Sequence, residues 1–178
     1  KRIYQKKILS WYDNNKRTLP WRISKNSKKK QYYRILSEFM LQQTQVKTVI
    51  PYFNNFLKKI PNLQTLSKSN EKKVLKLWEG LGYYRRAKNL HKTSKILIKK
   101  YNGQIPNSFV KLKELPGIGD YTANILLALI YNQPRIALDG NVRRVLSRLF
   151  NTDTALAVNF FKTKRNGDLA EALMEFGA

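Results

Sequence analysis

The sequence predicts an all-α protein. Apolar residues recur at helical spacing in one segment after another, the connections between segments are short, and no stretch reads convincingly as a strand. Hydrophobic residues make up 42% of the 178 positions and aromatics 12%, enough for a packed core and too many for a disordered chain. No internal repeat is visible.

Ile3, Ile8, Leu9, Trp11 and Tyr12 mark a short amphipathic helix over 3–13, ended by Asp13-Asn14-Asn15. Leu19-Pro20-Trp21-Arg22 reads as a loop because Pro20 pushes Leu19 out of the α region, and 24–31 continues as a polar, Lys-rich loop. Tyr32, Tyr33, Ile35, Leu36, Phe39 and Met40 then predict a helix running to about Ile50. Pro51 falls near the first turn of the next piece, whose core face is Tyr52, Phe53, Phe56 and Leu57 and which Pro61 closes. Val74, Leu75, Leu77 and Trp78 give a short helix ended by Gly80-Leu81-Gly82. A longer one runs over 83–100 with Ala87, Leu90, Leu97 and Ile98 inward. Ser108 is placed to cap a short helix that ends before Pro116. Residues 120–131 are apolar nearly all round and predict a buried central helix. Val142, Val145, Leu146, Leu149 and Phe150 form a one-face stripe, 152–167 is irregular, and Leu169, Ala172, Leu173 and Phe176 mark a last helix.

Charge narrows the partner class. Lys and Arg number 35 against 11 Asp and Glu, a formal net charge of +24, which favours a polyanion. Compositional drift toward Lys and Asn produces the same surplus. No cysteine is present, so these residues form no disulfide and supply no thiolate to a metal. No apolar run approaches membrane-spanning length, and the basic N-terminus lacks a signal peptide's apolar core. A soluble intracellular protein is expected, cytoplasmic or otherwise intracellular.

The organising stretch is Leu115-Pro116-Gly117-Ile118-Gly119-Asp120-Tyr121-Thr122-Ala123-Asn124, followed by Leu138-Asp139-Gly140-Asn141-Val142. Gly117 and Gly119 lack a Cβ, so both are expected to be able to adopt φ > 0 and admit a close backbone approach. A helix N-terminus comes directly after them, which makes a phosphate site built of backbone. The same stretch also reads as a tight turn between two core helices. Glu38 admits two readings, a surface partner of Arg34 at i−4 or a carboxylate at the core edge, where desolvation favours a general acid. Asp139 reads as the N-cap of the next helix, a role compatible with catalysis because a cap fixes the carboxylate. Gln42-Gln43-Thr44-Gln45 is a polar run expected mid-helix, and Gly82-Tyr83-Tyr84-Arg85-Arg86 combines aromatics with guanidiniums at a helix start. In a DNA enzyme such groups wedge into a vacated stack and hold phosphates, although they are ordinary surface residues elsewhere. His91 is assigned no role. No histidine pair, cysteine cluster or Ser/His/Asp arrangement is seen, so no metal ligands are assigned.

Taken together, Leu19-Pro20-Trp21-Arg22, the run from Ser37 to Val46, the run from Trp78 to Tyr84, the two stretches above and the run from Glu171 to Ala178 resemble adenine DNA glycosylases of the MutY type, in the helix-hairpin-helix superfamily shared with endonuclease III. The resemblance begins near Trp11 and runs almost to Ala178. It implies a six-helix barrel over about 31–134, with the hairpin at about 110–131. A second helical lobe would combine 1–30 with 135–178, and the active site would lie in the cleft between them. It implies a monofunctional N-glycosylase in base excision repair that flips out adenine mispaired with 8-oxoguanine or guanine in double-stranded DNA, acting as a monomer. Glu38 would protonate the adenine, Asp139 would stabilise or transiently attack the sugar, and Tyr121 and Asn141 would orient the reacting groups. Leu19, Trp21, Arg22, Glu171 and Met174 would line the base pocket. Gln42 would contact DNA, Gln43 and Tyr83 would insert at the lesion, and Gly117 and Gly119 would hold the phosphate. Bifunctional relatives carry a Schiff-base lysine where this chain has Tyr121, so an imine route is not expected.

The chain departs from the family in a longer 24–30 loop, a shortened 151–167 segment, and an end before the four cysteines that ligate a 4Fe-4S cluster and the separate domain that reads 8-oxoguanine. Both a fragment and a reduced member of the family fit. A catalytically inactive DNA-binding module and a glycosylase for another base are the alternatives.

Overall fold

The computed structural model describes residues 2–23, 27–150 and 162–178. Among them the regular structure is helical throughout: α1 Arg2–Asn15, α2 Ser27–Leu41, α3 Val46–Lys59, α4 Leu63–Lys68, α5 Glu71–Leu77, α6 Arg85–Tyr101, α7 Phe109–Lys113, α8 Asp120–Tyr131, α9 Gly140–Phe150 and α10 Asn166–Phe176. They form two compact units, Leu19–Ile118 and the combination of Lys1–Thr18 with Gly119–Ala178.

In the first unit α2 and α6 are the long elements, and α3, α4 and α5 pack around them. Its interior holds Ile35, Leu36, Phe39, Met40, Phe53, Phe56, Leu66, Trp78, Leu90 and Leu97, all fully buried. Trp21 brings the 19–23 segment into this unit by packing edge-on against Phe53, with ring centroids 5.2 Å apart. Asn62 starts α4 by accepting the Thr65 amide at 2.8 Å, and Asn70 starts α5 by accepting that of Lys72 at 2.8 Å.

The second unit is built on α8, which is apolar on nearly every side, as the sequence predicts, and packs on α10. Ile8, Tyr12, Ile125, Leu129, Val142, Val145, Leu146, Leu169 and Leu173 share one core. Gly167 lets α10 come close to α8, since a Cβ there would lie 2.8 Å from the Ala128 carbonyl oxygen. Arg165 joins α1 to α10: its Nη1 and Nη2 meet the two Asp13 oxygens at 2.9 and 2.6 Å, while Nε reaches Asp168 at 2.7 Å. This guanidinium holds the Asp13 carboxyl below its ordinary range. The helix over 120–131 thus groups with α1, α9 and α10, whereas Leu19 to Ile23 belong to the other unit.

Four local expectations change. Helix α2 begins at Ser27, so the Lys-rich stretch expected as loop enters it; long straight side chains cost a helix little. The helix expected to run to Ile50 instead stops at Leu41, and 42–45 is a separate turn. Pro51 therefore lies inside α3 rather than in a first turn; the carbonyl it leaves without a donor belongs to exposed Lys47, where water can replace the lost bond. Helix α4 forms where no element was expected. The irregular 152–167 segment falls largely outside the described residues.

Candidate active site and nucleic-acid interface

Glu38 is not a surface residue. From Arg34 to Met40 every position of α2 is buried, and Glu38 is 8% exposed. Arg34 is buried too, at 6% exposure, so the reading of this Glu38–Arg34 pair as a surface device is corrected. The core-edge reading agrees with this burial.

The turn after α2 has a defined shape. Gln43 sits in the left-handed region at φ 56°, rare for a residue with a side chain, and is exposed. The polar run is thus a loop tip and not mid-helix. Gln42 donates from Nε2 to the Gly117 carbonyl at 3.3 Å, which ties this turn to the hairpin. A second tip repeats the pattern: Gly82 has φ 77° and Tyr83 φ 47°, and the Tyr83 side chain is 63% exposed. Helix α6 starts after it, at Arg85.

The hairpin glycines differ. Gly117 has φ 80°, and a Cβ there would come within 2.8 Å of Phe39 Cε1 and 2.9 Å of Asn89 Cβ, so the fold requires glycine. Gly119 has φ −90°, so of the two only Gly117 uses the left-handed freedom that both possess. Nothing lies within 4 Å of where its Cβ would be, and no side chain caps α8 at this residue. Its backbone is open to an approaching anion at the positive end of the helix.

In the other unit, Asp139 Oδ1 accepts the Val142 amide at 2.7 Å, and the Asp139 carbonyl accepts the Arg143 amide at 3.0 Å. The carboxylate is the N-cap of α9 and is half-buried. Asn141 accepts from Arg144 Nη1 at 3.0 Å. Gly177 packs on the Asn141 backbone, where a Cβ would lie 2.8 Å from the Asn141 carbonyl carbon, and Arg144 also donates to the Gly177 carbonyl. Tyr121 OH donates to the Met174 sulfur at 3.3 Å. Glu171, 5% exposed, accepts from Tyr12 OH at 2.7 Å.

Leu19 and Trp21 are buried at 7% and 3% exposure, with Arg22 half-buried in the turn that its amide closes onto the Leu19 carbonyl. Sequence reasoning missed Arg86 as anything but a phosphate contact. Only Arg85 is exposed; Arg86 is 7% exposed and spends its donors on backbone carbonyls. A signal was present, since Arg86 stands four residues before Leu90 and eleven before Leu97, on the apolar stripe of α6.

No cysteine is present, and among the described residues no group of three or more His, Asp and Glu is arranged to hold a metal ion. The iron–sulfur cluster implied by the resemblance therefore has no thiolate ligand within these residues. No helix among them is long and apolar enough to cross a membrane.

The fold is that of the helix-hairpin-helix DNA glycosylases. A thermostable thymine-DNA glycosylase superposes with a TM-score of 0.83 at 22% identity, over 99% of this chain and 85% of that one. An endonuclease III trapped as a covalent intermediate with DNA superposes at 0.75 and 21%, over 98% and 83%. Residues 36–164 match the family described as "HhH-GPD superfamily base excision DNA repair protein", and the chain belongs to it. The chain is 49% identical over 150 residues to an adenine DNA glycosylase of Buchnera aphidicola subsp. Baizongia pistaciae, covering 84% of this chain and 42% of that protein. It is 38% identical over 192 residues to the adenine DNA glycosylase of Mus musculus, covering 98% and 37%. The chain thus spans well under half the length of these curated relatives.

Proposed function

We propose that this chain is the base-removing part of an adenine DNA glycosylase. It extrudes adenine paired with 8-oxoguanine or guanine from double-stranded DNA and hydrolyses the N-glycosidic bond, leaving the strand uncut. It acts as a monomer on genomic DNA in the cytoplasm. The observation that carries the reading is the 49% identity to an adenine DNA glycosylase over most of the chain. Glu38 and Asp139 stand in the sequence motifs that carry the resemblance, and their burial and cap support the reading.

In this reading Glu38 donates a proton to adenine N7, the C1′–N9 bond breaks with its electron pair going to the base, and water adds its hydroxyl to C1′ while its other proton returns to the Glu38 carboxylate. The Asp139 carboxylate offsets the positive charge that develops on the sugar. Tyr121 and Asn141 orient the reacting groups, with Leu19, Trp21, Arg22, Glu171 and Met174 shaping the pocket. Gly119 and Gly117 present backbone to a phosphate, Gln42 braces the hairpin, and Gln43 and Tyr83 enter the duplex.

The test is incubation with duplexes carrying A opposite 8-oxoguanine, A opposite G, T opposite G, or thymine glycol. Free adenine is expected from the first two only. Release from thymine glycol or T opposite G alone would reassign the substrate, and binding without any release would make the chain a binding module.

A further inference from the structure

Arg86 supplies the second residue of α6 and is 7% exposed. Its Nη1 donates to the carbonyls of Phe39 at 3.3 Å, Met40 at 2.6 Å and Gln42 at 2.5 Å. Nη2 donates to Leu81 at 3.3 Å and Gly82 at 3.1 Å, and Nε to Tyr83 at 3.4 Å. One guanidinium therefore holds two backbone segments that lie about forty residues apart in sequence. The first is the end of α2, whose last carbonyls have no intrahelical donor and favour a cation. The second is the turn leading into α6. The charged plane also lies over the rings of Trp78 and Tyr83, at 5.5 and 5.4 Å from their centroids.

Each held segment carries the same feature: an exposed residue with a side chain, forced into the left-handed region, Gln43 at φ 56° and Tyr83 at φ 47°. Such backbone persists only when its surroundings over-determine it. These hydrogen bonds of Arg86 all go to carbonyls, so its charge is spent on shaping backbone rather than on a carboxylate or a phosphate. A lysine has the charge but not the planar fork, and one ammonium cannot reach six acceptors spread over two segments.

We propose that Arg86 is a positioning residue that couples the Gln43 and Tyr83 tips, so that they enter DNA as one unit when the base is extruded. The inference rests on the proposed function, in which those tips enter the duplex.

The test uses a duplex with 2-aminopurine in place of the target adenine opposite 8-oxoguanine, whose fluorescence rises on unstacking. Gln43→Ala, Tyr83→Ala and the double variant are compared in the wild-type background and again with Arg86→Lys. Affinity for an undamaged duplex is measured alongside. In the wild-type background the two alanine variants are expected to be non-additive by roughly five-fold in the extruded fraction. With Arg86→Lys that non-additivity is expected to vanish and the fluorescence rise to fall, while affinity for undamaged duplex changes by less than about two-fold, because the charge is kept. A wild-type protein giving no fluorescence rise would overturn the extrusion reading itself. A normal rise with additive effects of the two exposed-tip variants would overturn the coupling alone, and that arm stands even if Arg86→Lys fails to fold. Unchanged non-additivity in a folded Arg86→Lys protein would also overturn it.

Discussion

Asp139 holds the amide of Val142 at 2.7 Å, and the same carboxylate is the one proposed to face the sugar. Cap and catalyst make opposite demands on a substitution. Asparagine caps a helix about as well as aspartate, so Asp139→Asn should leave the melting temperature nearly unchanged. It removes the negative charge, and single-turnover adenine release should fall by roughly two to three orders of magnitude. A wild-type rate with an unchanged melting curve would reduce Asp139 to a cap.

Glu38→Gln keeps the shape of a buried side chain and removes the proton it can donate. Adenine release should drop by roughly two to four orders of magnitude, with binding to duplex unchanged or slightly tighter. A binding isotherm beside the single-turnover trace separates the two effects.

The two hairpin glycines should respond oppositely. Gly117→Ala places a Cβ against Phe39 and Asn89 at positive φ and should destabilise the protein by about 1–3 kcal/mol. The Cβ of Gly119→Val meets nothing within 4 Å and the backbone is ordinary for a residue with a side chain, so thermal stability should hold. Duplex affinity should fall roughly tenfold, on damaged and undamaged DNA alike, as a charge-assisted backbone contact is lost. Normal binding by Gly119→Val would leave the hairpin as a turn only.

His91 is the sole histidine, 1% exposed, and its pKa is lowered mainly by desolvation and further by Lys95. The unfolded chain therefore takes up a proton more readily than the folded one as pH falls through the ordinary value of 6.5. Stability contributed by neutral His91 is complete above that value and declines below it. Melting curves between pH 8 and pH 5 should shift downward on the acid side, and His91→Gln should flatten that part of the profile. A flat wild-type profile would contradict the assignment.

Tyr121 cannot form an imine, so the product should be an abasic site that survives until alkali is added, with little adduct on borohydride treatment. Efficient strand cleavage would require one of the many lysines to act as a lyase.

The sequence shows helices most clearly where burial is simple. Helix α8 is apolar all round and α9 has a single stripe, and both form as expected. The break between α2 and α3 is not legible, because Gln42 to Gln45 contains no Gly or Pro. A guanidinium from α6 takes up the carbonyls there, and local pattern carries no trace of so distant a partner. Glu38 misleads for a similar reason: α2 is covered by elements later in the chain, and an i−4 arginine looks like a surface pair until they are in place. Helices α4 and α5 differ in kind. Asn62 and Asn70 are readable caps, and only the absence of a long apolar stripe hides the first.

Helix α1 is made well before the elements it packs on. Its core partners Ile125, Leu129, Leu169 and Leu173, and the Glu171 that takes the Tyr12 hydroxyl, all lie beyond Gly119. The intervening Leu19–Ile118 unit is continuous and has its partners as soon as it has left the ribosome. At roughly 5–20 residues per second, Ile8, Trp11 and Tyr12 wait about 8–32 s until Leu173 completes their core. During that interval the nascent chain displays a basic amphipathic helix with its apolar face uncovered.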